Sequence, residues 1–376
     1  MVGPPYPEPL DEWATVYKLE NLNIWSIRTT HFPIEKLLRV FSLWNFIDYL
    51  LTRFHVFSEM ETFSMRAFIK LRKILKSKRY DIIHDINSLG WGLLPMKAFG
   101  IPVISTIHHP LTHDMSADLG MDRSFWEKIT TVLFYPILMQ KFVINNLDRI
   151  ITSSIDGVNA LKNAFGIMED KVTVVYNGMD VDVFKNTGEK REKRSLLFVG
   201  NTEDHKKGLS YLLEALTILP SDITLTIVDD GPPAKMNATN LINKYKLSKR
   251  VSITGKLDFP SLVSLYSRKT LLVMSSLHEG FGLPAVEAMA CETPVVATRA
   301  GALTEVVNDQ TGILVEPRDP LALSNSIIKL LENPGLRNKL GKNGRKRSVN
   351  NYAWPIAARS TLRVYESVIQ RYRSRS

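Results

Sequence analysis

The chain of 376 residues has a single cysteine, Cys291. One thiol excludes a disulfide framework and cysteine-ligated zinc, and it suits a reducing compartment. Cys291 follows the apolar Ala288-Met289-Ala290, so it reads as a small packed residue rather than a nucleophile. Long apolar runs are missing too. The longest, residues 132–139, is too short to cross a bilayer and contains Pro136. Residues 1–9 lack a basic segment followed by an apolar one, so no secretory signal is expected and the chain reads as cytoplasmic. Glycine is scarce at the start: before residue 100 there are only Gly3, Gly90 and Gly92. That excludes from this region a glycine-rich turn through which backbone could reach a phosphate.

The remaining composition is that of a folded protein. Hydrophobic residues make up 44% and charged ones 23%, and the length suits two domains, each with its own core. The formal net charge of +10 points to an anionic partner. Nucleotide diphosphates, anionic lipid surfaces and nucleic acid all qualify. No nucleic-acid fold signature accompanies the charge, so no nucleic-acid partner is expected.

One stretch, residues 271–307, organises the rest. Residues 271–275 form an apolar run of strand length, and 284–290 have the composition of a helix start. Between them lies the loop His278-Glu279-Gly280-Phe281-Gly282-Leu283, followed by Pro284 at a first-turn position. Glycines here let backbone amides approach a ligand, and the helix start offers unpaired donors and a positive dipole end suited to phosphate. Seven residues separate Glu279 from Glu287. That spacing can put one carboxylate near a sugar and the other, deeper, against ribose hydroxyls. The same residues also read as an ordinary strand–loop–helix unit with solvated glutamates. With Ala288-Met289-Ala290 and Pro294-Val295-Val296-Ala297, the stretch resembles the E-x7-E signature of the GT-B glycosyltransferases of family 4, retaining enzymes that use nucleotide sugars.

Upstream, residues 1–15 are proline-rich and irregular, and a short strand is expected near 23–27. Residues 66–79 carry seven basic side chains and no acid, with Phe68, Leu71, Ile74 and Leu75 at helical spacing. They read either as a crossover helix with a solvated basic face or as a dock for anionic lipid headgroups. Strands are expected at 81–84 and 102–107, around a helix at 91–99 that Gly100 stops; this is a strand–helix–strand unit of a parallel sheet. Ligands gather at the C-terminal ends of such strands, and the second ends at His108-His109-Pro110. The resemblance implies that His108 contacts the transferred sugar. Metal binding by His108, His109 and His113 is the rival idea; no carboxylate and histidine set at helical spacing accompanies them, so no metal is expected. Residues 123–147 read as an amphipathic helix broken at Pro136, with Trp126, Leu133, Phe134, Leu138 and Phe142 in a core or in an acceptor-lipid groove. Strands at 149–154 and 171–175 follow.

Tyr176-Asn177-Gly178-Met179-Asp180 resembles the family's inter-domain crossing, with Gly178 expected in a left-handed or extended conformation. Asp180-Val181-Asp182 is formally the D-x-D of a different glycosyltransferase architecture. It falls in a linker and is read as coincidental. The charged run 185–194 reads as a solvated domain boundary. A strand at 195–200 then leads through 201–208 into a helix at 209–219. In the family this loop carries an arginine after the first glycine and a lysine before the next, both neutralising the donor diphosphate. Lys207 takes the lysine position, Asn201 stands where arginine is usual, and Lys206 is the candidate for the missing charge. A strand at 224–228 ends at Asp229-Asp230-Gly231-Pro232, Asp229 standing where the family prefers glycine. A strand at 251–255 follows, after which Lys256 and Leu257 flank the nucleobase by resemblance. Gly301-Ala302, where the family often has two glycines, precedes a strand at 312–315, helices at 321–332 and 336–349, and a last helix to about Tyr372. Asn351-Tyr352-Ala353-Trp354 resembles the family's aromatic-Ser-Trp element.

The resemblance covers about residues 80–370 and implies an α/β chain of GT-B architecture, two Rossmann-like parallel-sheet domains facing across a cleft. The expected divisions are an acceptor-side domain at 1–178, a linker at 179–194, a nucleotide-sugar domain at 195–352, and a helix at 353–376 crossing back to the first domain. The family opens with a strand and a glycine-rich loop; neither is found here, so the first domain reads as incomplete. The implied activity is retaining transfer of a hexose from a GDP- or UDP-linked donor to a hydroxyl acceptor such as a lipid-linked or polysaccharide glycan, with no metal or cofactor. Lys207 and Lys206 are assigned to the diphosphate, with the amides of Phe281, Gly282 and Leu283. Glu279 is assigned to sugar hydroxyls, Glu287 to the ribose and His108 to the sugar, with Asn201, Gly280, Lys256 and Leu257 lining the donor pocket. Two other readings stay open: a non-catalytic remnant that binds nucleotide-sugar or a partner, and another GT-B enzyme such as an epimerase or a phosphorylase. The lipid-docking reading of 66–79 adds a peripheral position on the cytoplasmic membrane face.

Overall fold

Short runs of branched apolar residues make the strands, and helices lay their apolar sides on the resulting sheets. The structure, a computed structural model, describes residue 1 and residues 14–20, 42–53, 59–108, 110–121, 124–229 and 237–374. Most of the irregular segment 1–15, the strand expected near 23–27, His109 and Asp230-Gly231-Pro232 lie outside the described residues, as does the side chain of His113. The chain divides into two units.

Unit 1 comprises Met1–Thr152, Gly157–Val174 and Arg363–Ser376. Its sheet contains β1 (Ile83–Ile86), β2 (Val103–Thr106), β3 (Arg149–Thr152) and β4 (Val172–Val174), in that spatial order and parallel throughout. Asp85 is in register with Ser105, and Ile86 with Thr106, so β1 and β2 end level. Val103, Ile107 and Ile150 pack in one core with Leu71, Met96, Val143, Ile144 and Leu161. Burying each such side chain stabilises the unit by roughly 1.5–3 kcal/mol.

The basic segment belongs largely to the helix Glu59–Ile74. Its Ala67, Leu71 and Ile74 are buried and Phe68 stacks on Phe99, so its apolar side is used inside the unit, as the crossover reading requires. Arg66 is internal as well, 2.6 Å from Asp48. Arg72, Lys73, Lys76, Lys78 and Arg79 remain exposed.

Pro136 does break residues 123–147, into the helices Phe125–Phe134 and Ile137–Asn146. The expectation of core packing needs correction. In the second helix Met139, Val143 and Ile144 are buried, but Leu138 and Phe142 are exposed. In the first helix no residue is buried, and Trp126 is 73% and Leu133 60% exposed. A capping box between Ser124 and Glu127 gives that helix a local reason to form. Its apolar stripe is therefore turned to solvent.

Unit 2 comprises Ser153–Asp156 and Val175–Leu362. Its strands are β5 (Ser195–Val199), β6 (Thr224–Val228), β7 (Val251–Ile253), β8 (Leu271–Met274), β9 (Val295–Thr298) and β10 (Gly312–Val315). All are parallel, in the order β10-β9-β8-β5-β6-β7. The chain builds outward from β5 in one direction and from β8 in the other. The order reverses between β5 and β8, and ligands of parallel sheets bind at the C-terminal strand ends beside such a switch point.

Of residues 185–194, expected as a solvated boundary, 185–190 and Lys193 are exposed, while Arg191 is held against unit 2. Arg191 donates to the backbone carbonyls of Lys269 (2.7 Å), Glu292 (2.8 Å) and Cys291 (3.2 Å) and to the Thr293 hydroxyl (2.9 Å). A guanidinium has five fixed donors, so Arg191 ties the end of this run to unit 2. Gly178 is not left-handed. It is needed for space, because a Cβ there would lie 2.2 Å from the Trp354 ring. Asp180 has a local role, its Oδ1 accepting the amides of Asp182 and Val183 at 2.9 and 3.0 Å. The last helix, Trp354–Arg373, belongs to unit 2 up to Leu362 and to unit 1 from Arg363.

Candidate active site

The loop after β5 carries Asn201, Thr202, Glu203 and Asp204 into a single 3-10 turn, His205–Lys207. Asp204 starts the turn by accepting the Lys206 amide at 2.9 Å. Thr202 donates its amide (2.9 Å) and its hydroxyl to Oδ2 of the buried Asp229. The carboxylate that replaces the family's glycine is thus a clamp between the loops after β5 and β6. Asn201 is exposed, and its Oδ1 accepts the Glu203 amide at 2.9 Å.

This turn is stitched to the loop after β8. The Leu277 amide donates to the Lys206 carbonyl at 2.7 Å, and the Ser275 hydroxyl to the Lys207 carbonyl at 3.2 Å. Gly208 is left-handed, φ 64°, and a Cβ there would come within 2.0 Å of the Ser275 carbonyl oxygen. Only glycine permits this approach. The result is that the Lys207 Nζ lies 2.8 Å from Glu279 Oε2, and the Ser276 hydroxyl reaches the same oxygen at 3.4 Å. The Glu279 carbonyl is fixed in turn by the Ala302 amide at 2.9 Å.

Helix Leu283–Ala290 leaves this loop with Gly282 at its N-cap and carries Glu287 on its far turn. The Tyr266 hydroxyl donates to Glu287 Oε2 at 2.7 Å. Burial pushes the Glu287 carboxyl above its ordinary range, and the bond from Tyr266 offsets part of that. The phenol of the fully buried Tyr266 is pushed well up, by burial first and by the charge of Glu287 second. Cys291 ends the helix fully buried, its thiol pushed up to about 12, consistent with a packed and inert residue.

The structure therefore brings the Lys207 and Glu279 side chains together, with the Lys206 backbone bonded into the same loop and Gly282 against the Glu279 side chain. The Phe281 ring is buried between Tyr176 and Tyr352, so only its backbone is available to a ligand. Leu283 and Lys256 are exposed, while Leu257 is half-buried against the core of unit 2. His108 lies in unit 1, two residues beyond β2. Among the described residues no histidine, cysteine, aspartate or glutamate side chains group in threes as metal ligands. Sequence reasoning missed Tyr266 and Ser276 and saw Asp229 only as a departure. Tyr266 carries no local signal, since it reaches Glu287 from another helix, Phe259–Arg268.

Residues 181–347 match the family model for glycosyl transferases group 1, and residues 45–183 that for glycosyltransferase family 4. An MMP alpha-(1->4)-mannosyltransferase of Mycolicibacterium hassiacum is 33% identical over 380 residues, covering 98% of this chain and 90% of that protein. The chain belongs to glycosyltransferase family 4. An uncharacterised glycosyltransferase of Methanocaldococcus jannaschii is 30% identical over 301 residues, 79% of this chain and 78% of its own. Sucrose-phosphate synthase from Thermosynechococcus elongatus superposes with a TM-score of 0.70 at 25% identity, over 83% of this chain and 79% of that one. The two parallel-sheet units are those of the GT-B fold, and this glycosyltransferase is a hexosyltransferase.

Proposed function

We propose that this enzyme transfers a hexose, with retention of anomeric configuration, from a GDP- or UDP-linked donor to a hydroxyl of a glycan, free or lipid-linked. The observation that carries the reading is the Lys207–Glu279 pair, 2.8 Å apart where the strand order reverses. A diphosphate-sugar needs a cation at its phosphates and a carboxylate at its sugar hydroxyls. The arriving diphosphate competes with Glu279 for Lys207, and the released carboxylate then accepts from the sugar. Lys206 supplies a second charge, and the start of helix Leu283–Ala290 adds its dipole through the backbone of residues 281–283.

As the bond from the anomeric carbon to the diphosphate breaks, negative charge grows on the leaving group. Cations already fixed there stabilise it without reorganisation. Glu287 accepts from the ribose hydroxyls, held in orientation by Tyr266. The proton of the acceptor hydroxyl passes to the departing phosphate, and neutralising charge comes from lysines rather than from a metal ion. His108 is assigned to the transferred sugar, and Asn201, Lys256 and Leu257 to the nucleotide side, on the family resemblance. The name of the M. hassiacum relative puts mannose first among the donors to try.

The test is a screen of GDP- and UDP-hexoses for thermal stabilisation, since a ligand bound only by the folded state raises the melting temperature. Proton NMR of the product anomer then reads the stereochemistry. At least one donor is expected to stabilise the chain and to give product of its own anomeric configuration. An inverted product removes the retaining mechanism, and no stabilisation by any of these donors removes the donor class.

A further inference from the structure

The C-terminal end of β1 holds a side chain that the reading above leaves unused. Asn87 follows β1 directly and is left-handed, φ 59°, and Leu89, fully buried, is left-handed as well, φ 43°. Two such non-glycine residues within three are strain that the surroundings must hold in place. Asp85 holds it. Its Oδ2 accepts the amides of Ser88 (3.1 Å) and Leu89 (3.2 Å) and the Ser105 hydroxyl (2.8 Å), and its Oδ1 accepts the Ser88 hydroxyl. The Asn87 amide closes the turn onto the Thr106 carbonyl at 3.0 Å. Further along, the Gly92 amide is bonded to the hydroxyl of the buried Ser64 at 3.0 Å.

The Asn87 Oδ1 is different: it is shielded from solvent and, among the described residues, has no hydrogen-bond partner. Asparagine tolerates the left-handed conformation, which accounts for the residue type. It does not account for a buried carbonyl oxygen left without a donor, which is unfavourable because its bond to water is lost and not replaced. The register places this group: Ile86 and Thr106, the paired last residues of β1 and β2, are followed by Asn87 directly and by His108 two residues on. Both stand at the edge of a parallel sheet where ligands bind.

We propose that Asn87 is a sugar-contacting residue, its carboxamide bonding adjacent hydroxyls of a hexose ring at the edge that carries His108. A carboxamide offers one acceptor oxygen and two donor hydrogens, which match a pair of neighbouring hydroxyls. The clamped turn fixes the backbone that carries this group, so only the Asn87 side chain has to turn out from its shielded position when the sugar arrives. The inference rests on the assignment of His108 to the transferred sugar, and it names a second contact and the chemistry it reads.

Asn87→Gly is the decisive variant, because glycine accepts the backbone conformation and removes only the carboxamide. Nucleoside diphosphate release from the stabilising GDP- or UDP-hexose is measured without acceptor and with methyl α-mannoside as probe acceptor, beside GDP and UDP affinity. Turnover about tenfold lower at unchanged nucleotide affinity supports the contact. A loss already present without acceptor assigns it to the donor hexose, and a loss only with acceptor assigns it to the acceptor ring. Turnover within twofold of wild type in both arms overturns the inference alone. Free mannose and glucose as thermal-shift probes give an independent reading: a shift that Asn87→Gly abolishes supports the contact, and equal shifts overturn it. A wild type that neither turns over a donor nor responds to either hexose overturns this inference together with the reading beneath it.

Discussion

The Lys207 ammonium and the Glu279 carboxylate, 72 residues apart in the chain, are bonded to each other at 2.8 Å and are both largely shielded, 24% and 11% exposed. Each holds the other at the donor site proposed above. The pair is preorganised, so ligand binding exchanges one partner for another and does not have to recruit mobile side chains.

Lys207→Ala is therefore expected to lower turnover by roughly two to three orders of magnitude if the ammonium meets charge that develops on the leaving group. Nucleoside diphosphate release under saturating donor is the measurement. Near-normal turnover would take Lys207 out of the reaction and leave it as a partner of Glu279 only.

Glu287 has a folded-state pKa raised by burial. The protonated form is thus relatively favoured in the folded state, and below the ordinary glutamate range no penalty is present. As pH rises from that range through the raised value, the penalty develops and stability falls. Glu287→Gln keeps an acceptor for Tyr266 and removes the charge, so it should melt higher than wild type at neutral pH, with the gap closing in acid. Nucleotide affinity should move oppositely, weaker by about 10- to 100-fold in the variant and falling in wild type as pH drops below the raised value. A variant that melts lower at neutral pH would contradict the burial argument.

Gly208→Ala and Gly188→Ala make a controlled pair. Both glycines are left-handed, φ 64° and 77°, but a Cβ meets the Ser275 carbonyl oxygen at 2.0 Å in the first and open space in the second. Gly188→Ala should lose only the conformational strain, about 1–2 kcal/mol. Gly208→Ala should lose more, and should lose turnover as well, because the clash displaces Lys207. Urea melts and release rates check both, and equal losses would show that the two loops are not tightly joined.

Much of this was legible beforehand. β6 and β10 fall at the residues expected, and the glutamate loop lies between β8 and its helix as the glycines and Pro284 imply. Strand and helix periodicity and loop chemistry are local, and the sequence carries them. Arg191 misled because a run of charges is usually solvated, and nothing in its neighbourhood says that four acceptors from residues 269–293 wait for it. Trp126 and Leu133 misled differently: an apolar stripe says that a helix has two sides, not whether the apolar one meets the protein. Tyr266 and Asn87 were silent, because their roles arise from partners brought by the sheet, or from a partner withheld.

That exposed stripe is the place to test the proposed peripheral membrane position, in addition to the exposed cations Arg72, Lys73, Lys76, Lys78 and Arg79. Aromatic and aliphatic side chains of this kind insert at a bilayer interface, and a chain of net charge +10 is drawn to an anionic one. Vesicles containing phosphatidylglycerol should pellet the protein, less so at high salt, and Trp126→Glu with Leu133→Glu should weaken this without changing nucleotide affinity. Equal pelleting of the double variant would rule out the stripe, and no pelleting of wild type would rule out the membrane.

The anchoring of residues 175–194 determines where a nucleotide-binding half could be cut free. Tyr176 covers Phe281, Phe184 lies against Tyr266, and the Met179 amide is bonded to the Tyr352 carbonyl at 2.7 Å. A piece beginning at Ser195, the obvious first strand, would strip the undersides of both glutamate-bearing segments and bare two aromatic rings. A piece beginning at Val175, ten residues ahead of the charged run 185–194, keeps them covered and is the better place to cut.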